Sequence, residues 1–233
     1  MTGMNDTFEA MHDPRWRLEN LYTIQNKQGN RVPFKPNAAQ NAYLDGCTHS
    51  DLILKARQLG MTTLMCIIGL DEALFKEDWR VAIIAHTLND ATEIFETKVK
   101  FPYDNLPEAI RNARPAKQDR AGLLRFDHGS SIRVATSARS GTLQRLHISE
   151  FGKICSVSPN KAREIVTGSF PAVGKNTKTI ESTAEGQEGY FYQFSEEAQR
   201  GEPPFKFFFF AWWMAPQNTY ASDLTRLSKA HDE

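Results

Sequence analysis

The sequence lacks an excess of charge of either sign, because 28 lysines and arginines balance 28 aspartates and glutamates among 233 residues. There is therefore no polycationic tail of the kind that indicates nucleic-acid binding, and any DNA contact has to rest on local basic patches. No apolar run approaches the roughly 20 residues of a membrane-spanning helix, and FFFF at 207–210 is far too short. The opening stretch, MTGMNDTFEAMHDP, lacks the basic start and apolar centre of a signal peptide.

Cysteine is also scarce, with only Cys47, Cys66 and Cys155, which are far apart and form no CxxC pair. No histidine cluster accompanies them, so we expect reduced, buried thiols and neither a disulfide nor a metal site. His86 and His147 lie on predicted strands without neighbouring ligand residues, and we interpret them as structural. These absences are typical of an intracellular soluble protein.

The pattern that remains is an alternation of strands and helices. Strand-like runs occur at DLILKA, WRVAIIAHT, LLRFDHGSSIRVATS (two strands around the turn DHGS), TLQRLHISE, KTIESTAEG and FKFFFFAWW, the last expected to be buried. Helical segments occur at 38–47, 62–75, 88–101, 159–170 and 189–200, whereas residues 102–121 predict a long loop or broken helix. This order predicts an α/β fold with a mainly parallel central sheet and helices on both faces.

The stretch KARQLGMTT at 55–63 nearly fits the phosphate-binding loop G-x-x-x-x-G-K-[ST]. Gly60 and Thr62 match the second glycine and the hydroxyl, but Met61 replaces the lysine and Lys55 replaces the first glycine. Lys55 could reach the phosphates from the start of the loop, and Arg57 is a second cation. On this stretch alone, a simple turn at Gly60 with Thr62 as the helix N-cap fits slightly better than a nucleotide site, because the match to the loop pattern is weak.

Later polar residues stand at the ends of other predicted strands. Glu150 follows RLHIS, at the carboxyl end where α/β sheets bind ligands, and could orient a water molecule for ATP hydrolysis. Ser149 stands where a metal-binding aspartate is usual, so it could hold a metal only through water. Arg139, on the loop TSARSGTLQ, could reach a neighbouring subunit's γ-phosphate. Ser182 and Thr183 end the strand of TIESTAEG.

Four of these stretches, in order, resemble the ATPase domain of the large terminase subunit, the genome-packaging motor of tailed double-stranded DNA phages. FKPNAAQ is similar to the segment before that family's phosphate loop, LKARQLGMTT to its divergent loop, SARSGTLQRLHISEF to its arginine loop and metal-side strand, and TIESTAEGQEGYFYQFSEEA to its coupling motif. The resemblance covers about residues 20–215 and departs from most members at Met61 and Ser149. It implies a P-loop NTPase-like (RecA-like) core at 34–215, with residues 1–33 as an N-terminal extension packed on it.

The resemblance also implies a site for ATP and Mg²⁺. Lys55, Glu150 and Arg139 would be catalytic, Mg²⁺ would lie on Thr62 and, through water, on Ser149, and Ser182 with Thr183 would couple hydrolysis to movement. The nucleotide-binding residues would be Gln40, which would read adenine, together with Arg57, Gln58, Gly60, Met61, Thr62 and Thr63.

The implied setting is a homo-oligomeric ring on the procapsid, in the host cytoplasm, with the portal protein, the small terminase subunit and double-stranded DNA as partners and no membrane. Residues 216–233 would begin the linker to a nuclease domain that this chain does not include. A helicase-like translocase and a catalytically silent nucleotide-binding assembly module are the alternatives. The DNA-contacting residues are unknown; the densest basic stretch is either a DNA contact or a solvated loop, and it comprises Arg111, Arg114, Lys117, Arg120 and Arg125.

Overall fold

A computed structural model of the chain describes residues 9–138 and 141–214. Its strands are β1 (Thr23–Gln25), β2 (Arg31–Pro33), β3 (Ser50–Lys55), β4 (Arg80–Ile84), β5 (Ala116–Arg120), β6 (Leu123–Phe126), β7 (Ser131–Ala135), β8 (Arg145–Ser149), β9 (Thr177–Ser182) and β10 (Lys206–Phe210). Strands β1 and β2 form a small hairpin, and the other eight form one sheet in the order β10-β3-β9-β8-β4-β7-β6-β5.

The helices connect these strands. They are α1 (Pro14–Asn20), α2 (Ala38–Gly46), α3 (Met61–Phe75), α4 (Leu88–Ile94), α5 (Phe101–Asp104), α6 (Glu108–Ala113), α7 (Phe151–Val157), α8 (Pro159–Glu164), α9 (Phe170–Val173) and α10 (Gly189–Gln199). Single π-helical stretches, Phe95–Lys100 and Ile165–Ser169, join α4 to α5 and α8 to α9, and a 3₁₀ turn (Trp212–Met214) follows β10.

The sheet has a parallel part and an antiparallel edge. All neighbours from β10 to β7 pair in parallel, whereas β6 pairs antiparallel with both β7 and β5. Alternate residues of β4 enter two hydrophobic cores: Val81 and Ile83 join the core that contains α3, and Ala82 and Ile84 join the core that contains α7 and α10. The predicted α/β architecture with helices on both faces is therefore confirmed.

The parallel arrangement positions the candidate site. The carboxyl ends of parallel strands lie at one edge of a sheet, and β3, β9 and β8 are consecutive neighbours. Lys55 ends β3 and is followed by a five-residue loop and α3, while Ser149 ends β8 and Ser182 ends β9. Three polar strand ends are thus brought together within the width of three strands.

Three predictions about the sheet and its flanks need correction. The broken helix predicted for residues 102–121 is present as two short helices, but β5 follows it, an edge strand whose polar residues (AKQDR) gave no hydrophobic signal. Strand β10 is an edge strand and not a buried one, with Phe209 53% exposed. Cys47 is exposed, although Cys66 and Cys155 are buried as expected, and all three are free thiols.

The described part of the N-terminal extension contains helix α1 and the hairpin of β1 and β2. Helix α1 is capped by the Asp13 carboxylate, which accepts a hydrogen bond from the backbone N–H of Arg15. The buried Arg17 guanidinium donates to Asp71 of α3, and the hydroxyl of Tyr22 donates to the same carboxylate. These contacts fix the described part of residues 1–33 on the core. Within residues 9–138 and 141–214, no helix combines the length and apolar character that a membrane span requires.

Candidate active site

The phosphate-loop segment, residues 55–63, runs from the end of β3 into the first turn of α3. Gly60 is the N-cap residue of this 15-residue helix, with φ 73°, and no side chain caps the helix start. Uncapped N–H groups at a long helix's N-terminus carry partial positive charge and suit a phosphate. Thr62 is therefore not the N-cap that the alternative interpretation of this stretch required.

Gln40 supports the phosphate loop. Its Nε2 donates to the backbone oxygen of Gly60 at 2.8 Å, and its Oε1 accepts from the backbone N–H of Asn37 at 2.9 Å. Asn37 in turn donates from Nδ2 to the backbone oxygen of Leu59 at 3.0 Å. Gln40 is 3% exposed, so its amide positions the loop, and adenine recognition by this residue stays a prediction.

The remaining side chains of the loop point in different directions. Met61 is buried in the hydrophobic core, so only its backbone N–H is available to a nucleotide. Arg57 and Gln58 are exposed, and Gln58 has a positive φ of 63° and accepts a hydrogen bond from Lys27. Thr63 is half-buried. The lysine position of the standard motif is thus occupied by a core residue.

Lys55 supplies a cation to the site from the opposite end of the loop. Its side chain is buried, with the ammonium 2.8 Å from Glu150 Oε1 and 3.0 Å from Glu181 Oε2. Burial on its own lowers the pKa of Lys55, but the charges of Glu181 and Glu150 outweigh it, and the net effect is a raised pKa. The lysine is therefore a permanent cation between two carboxylates.

Glu150 lies between Lys55 and the predicted coupling residues. It follows β8 with φ 53° and ψ 48°, a left-handed conformation that costs free energy and is often found at functional sites. Its Oε2 is 3.4 Å from Thr183 Oγ1 and 3.5 Å from Ser182 Oγ. A Cβ on Gly152 would lie 2.8 Å from Ser182 Oγ, so only glycine permits this approach of α7 to the end of β9. The structure thus brings Lys55, Glu150 and both coupling residues together.

Glu181, which the sequence analysis did not single out, lies where the hydroxyls predicted to bind the metal converge. Thr62 Oγ1 and Ser149 Oγ both donate to Glu181 Oε1, at 2.6 Å and 3.0 Å. Burial tends to raise the pKa of this fully buried carboxyl, but contacts with His147, Lys55 and Thr62 prevail and lower it. A signal was present in TKTIES, where an acidic residue falls within an otherwise buried strand.

Mg²⁺ in nucleotide sites usually has one or two protein ligands, with phosphate oxygens and water completing its shell. Consistent with that, the described residues contain no group of three or more His, Cys, Asp or Glu side chains suited to a metal. Thr62 Oγ1 and the Glu181 carboxylate are oxygen donors of the type that Mg²⁺ takes, and both lie at the start of α3. A cavity of about 220 Å³ opens beside them, lined by Thr62, Ala85, His86, Asp90, Glu93, Ile94, Lys98, Ser149 and Glu150.

The predicted basic residues divide between separate places, and Arg139 lies outside the described residues. Arg114 donates to the backbone oxygen of Leu74 and has a structural contact, while Arg111 and Lys117 are exposed. Arg120 and Arg125 lie on the open face of β5–β7. There they line a groove of about 830 Å³ together with Arg80 and Arg133.

A mainly parallel sheet, with helices on both faces and a loop leading from β3 into the uncapped helix α3, defines an α/β fold of the RecA-like type. No family model matches the sequence, and no curated protein matches it.

Solved structures of the same fold come from phage large terminases. The large terminase ATPase domain of Thermus phage P74-26 aligns with a TM-score of 0.57 and 19% identity, over 77% of this chain and 82% of that one. A mutant of that domain gives 0.59 and 20%, over 76% and 81%. The HK97 bacteriophage large terminase gives 0.68 and 14%, over 97% of this chain and 52% of that one, so this chain spans about half of the HK97 protein. At these identities the likeness establishes the fold, which is that of the terminase ATPase domain.

Proposed function

We propose that the core at 34–215 is an ATP-hydrolysing motor domain of the large-terminase type, which drives double-stranded DNA into a procapsid. The observation that carries the proposal is the meeting of Lys55, Glu150 and Thr62 beside the uncapped N-terminus of α3. A phosphate-binding helix end, a buried lysine and a carboxylate able to orient water are the protein groups that phosphoryl transfer to water needs.

In this proposal the α3 N-terminus and Lys55 bind the phosphates of ATP, and Lys55 leaves its carboxylate partners to do so. Glu150 orients the attacking water. Mg²⁺, when bound with ATP, supplies positive charge to the phosphate oxygens, held by Thr62 and, through water, by Ser149. Thr183 and Ser182 lie against the Glu150 carboxylate, so a displacement of Glu150 on hydrolysis alters the end of β9. In this proposal Arg139 of a neighbouring subunit adds positive charge at the γ-phosphate.

The first experiment measures phosphate release from ATP and Mg²⁺, with nucleotide binding measured in parallel. We expect Lys55→Ala to lose binding and turnover, because the phosphates lose their buried cation. Glu150→Gln is expected to bind ATP but to release phosphate at least 100-fold more slowly, in the range of lost general-base catalysis. Lys178→Ala is the matched control, since Lys178 is a half-buried lysine at the opposite end of β9; it is expected to keep wild-type turnover.

The outcomes separate the alternatives. Wild-type protein that binds ATP and releases no phosphate, at high protein concentration and with DNA present, favours the silent assembly module. Turnover that is unchanged in Lys55→Ala contradicts the displaced lysine and makes Arg57 the candidate cation. Strand separation of a short duplex by the active protein would favour the helicase-like translocase.

For DNA contact, the open arginine face of the sheet is the surface that we propose. Arg125 pairs in register with Ser131, and Arg120 and Arg133 both pair with Leu123, which places the three arginines on one face of β5–β7. The neighbouring residues Leu124, Phe126 and Ile132 enter the core on the other face. None of the described residues that line this groove is acidic. Backbone phosphates are the anions that satisfy such a surface.

Duplex binding measured over a range of salt concentrations tests this surface. Each lost phosphate contact is expected to reduce the slope of log K against log salt by about 0.9, so Arg120→Ala/Arg125→Ala should reduce it by nearly 2. Arg111→Ala is the control, because Arg111 is exposed on α6 and does not line the groove. Equal slopes in the double variant and the wild type would place the DNA elsewhere.

The wider assembly belongs to the same proposal. It comprises a ring of copies on the procapsid with the portal protein and the small terminase subunit, acting in the host cytoplasm, and a linker from 216–233 toward a nuclease domain. Sedimentation of the wild type and of Arg139→Ala, each with nucleotide, tests the ring, and the two proteins should assemble alike. Phosphate release should fall in Arg139→Ala alone.

A further inference from the structure

We propose that Glu181, on β9, carries the carboxylate for Mg²⁺ that Ser149 lacks on β8. The inference rests on the proposed ATPase function and extends it to a residue outside the predicted site. The two positions are in register: Ser149 pairs with Glu181 across the parallel strands β8 and β9. Because neighbouring strands are about 4.8 Å apart, a glutamate from β9 can place its carboxylate against a residue at the end of β8, as the 3.0 Å contact between Ser149 Oγ and Glu181 Oε1 demonstrates.

The hydrogen bonds of Glu181 identify it as part of the phosphate site. Its Oε1 accepts from Thr62 Oγ1 at 2.6 Å, and Thr62 is the hydroxyl residue of the phosphate loop. Because the Glu181 carboxylate is hydrogen-bonded to the Thr62 hydroxyl, the two oxygens are close enough to bind the same cation. Ser149 donates to the same carboxylate from the β8 side, so in addition to the water-mediated contact proposed above it would orient Glu181 toward Mg²⁺.

The second oxygen of Glu181 is incompletely satisfied. Glu181 is fully buried, and Oε2 has no well-directed hydrogen bond among the described residues, although the Lys55 ammonium lies 3.0 Å away. Lys55 is shared with Glu150, so two carboxylates face a single lysine. A buried carboxylate is unfavourable unless it is paired. If Lys55 turned to the phosphates of ATP, Glu181 would lose its cation, and its carboxylate would then be free to hold a divalent ion bound with the nucleotide.

A purely structural Glu181 would serve only to anchor Lys55, and the two roles differ in a measurable way. If Glu181 only anchors Lys55, its loss changes the affinity for nucleotide equally with and without metal. If Glu181 binds the metal, its loss reduces only the gain in nucleotide affinity that the metal provides. The measurement is the affinity for a non-hydrolysable ATP analogue in Mg²⁺ and in EDTA. Electron paramagnetic resonance of Mn²⁺ in the presence of the analogue gives a second readout that needs no turnover.

We expect Glu181→Gln to reduce the affinity of the complex for Mn²⁺ by ~10- to 100-fold, with analogue binding in EDTA unchanged or tighter because Lys55 has lost a competitor. Ser149→Asp/Glu181→Ser returns the carboxylate to β8 and is expected to restore metal-dependent binding. The control is Asp71→Asn, which removes another buried carboxylate, paired with Arg17 away from the site; it should lower stability and leave the metal dependence intact.

Folding of each variant is checked by circular dichroism. Should Glu181→Gln fail to fold, Glu181→Asp keeps the charge and withdraws the carboxylate by one methylene, and it is expected to lose most of the metal-dependent affinity. A folded variant of either kind with wild-type metal dependence overturns the inference and leaves the ATPase proposal standing. Wild-type protein that binds the analogue in neither Mg²⁺ nor EDTA overturns both.

Discussion

Replacing Gly60 by alanine tests the account of the phosphate loop directly. Gly60 has φ 73°, and a Cβ there would lie 2.9 Å from Nε2 of Gln40, which donates to the Gly60 backbone oxygen. The alanine therefore has two costs: a left-handed backbone conformation and the displacement of a buried amide. Gly201 offers a control with the same backbone but open space, since its φ is 76° and no atom lies within 4 Å of an added Cβ.

The magnitudes follow from these contacts. The left-handed conformation costs an alanine about 1–2 kcal/mol, and this is the whole cost expected for Gly201→Ala. Losing the Gln40–Gly60 hydrogen bond adds about 0.5–1.5 kcal/mol. Gly60→Ala is therefore expected to lower the free energy of unfolding by about 1.5–3.5 kcal/mol, and to weaken nucleotide binding because the loop moves.

Urea unfolding followed by circular dichroism gives both free energies, and a double-mutant cycle with Gln40→Ala isolates the clash. With Gln40 truncated, the added methyl meets no amide, so the two changes should be less than additive by more than about 0.5 kcal/mol. The reasoning is refuted if Gly60→Ala costs no more than Gly201→Ala, or if the cycle is additive, because either result means that Gln40 does not hold the loop.

Three further predictions concern other parts of the fold. Burial raises the pKa of Glu72, but its ion pair with Arg145 prevails and lowers it below the ordinary 4.5. The ion pair therefore stabilises the fold fully above pH 4.5, and this stabilisation is lost as the pH falls through the lower pKa of Glu72 in the folded state. The free energy of unfolding of Glu72→Gln should depend less on pH between 7 and 3 than that of the wild type; parallel curves would contradict this. Burial raises the pKa of Cys66 to about 12, so at pH 8 a thiol reagent should label the exposed Cys47 at once and Cys66 only as the protein unfolds. Immediate labelling of Cys66 would show an open core. Gly152→Ala and Gly69→Ala each bring a Cβ within 3.0 Å of a side chain, and each should lower the free energy of unfolding by about 1–3 kcal/mol. Only Gly152→Ala, whose Cβ meets the predicted coupling residues, should slow phosphate release. Equal turnover in the two variants would argue against the coupling role.

The sequence correctly predicted the helices and strands whose hydrophobic residues are buried in a regular pattern. The run RVAII forms β4 because each face of the strand meets a hydrophobic core, and MTTLMCIIGLDEALF forms α3 because it packs beneath the sheet. The hydrophobic pattern gave wrong predictions for the two edge strands of the sheet. AKQDR forms β5 although it is polar, because the neighbouring strand β6 supplies the pairing, and FKFFFF forms an edge strand although its hydrophobicity predicted burial. Edge position depends on strand order, which single segments do not encode.

The same limit explains which site residues were found. Lys55, Thr62, Glu150, Ser182 and Thr183 occur in motifs whose local order is characteristic. In the structure Thr62 and Glu150 line one cavity, and Lys55, Ser182 and Thr183 contact the Glu150 carboxylate. Glu181 is adjacent in sequence to the coupling residues, and its role depends on β9 lying between β3 and β8. That order is a long-range property of the sheet, since the contact of Thr62 with Glu181 joins residues 119 positions apart. Only the tertiary structure reveals it.

The two departures from the phosphate-binding pattern are connected in space, and this bears on whether the chemistry is retained. Met61 and Ser149, taken separately, indicate a lost lysine and a lost carboxylate. In the structure a lysine enters from the end of β3 and a carboxylate from β9, the strand hydrogen-bonded to it, and the two form one ion pair. A buried ion pair is a poor source of stability, since apolar side chains of similar volume are often better by about 1–4 kcal/mol. Such ion pairs would add little stability to a silent assembly module, whereas the motor proposed above would use Lys55, Glu150 and Glu181 to exchange the lysine between carboxylates and phosphates.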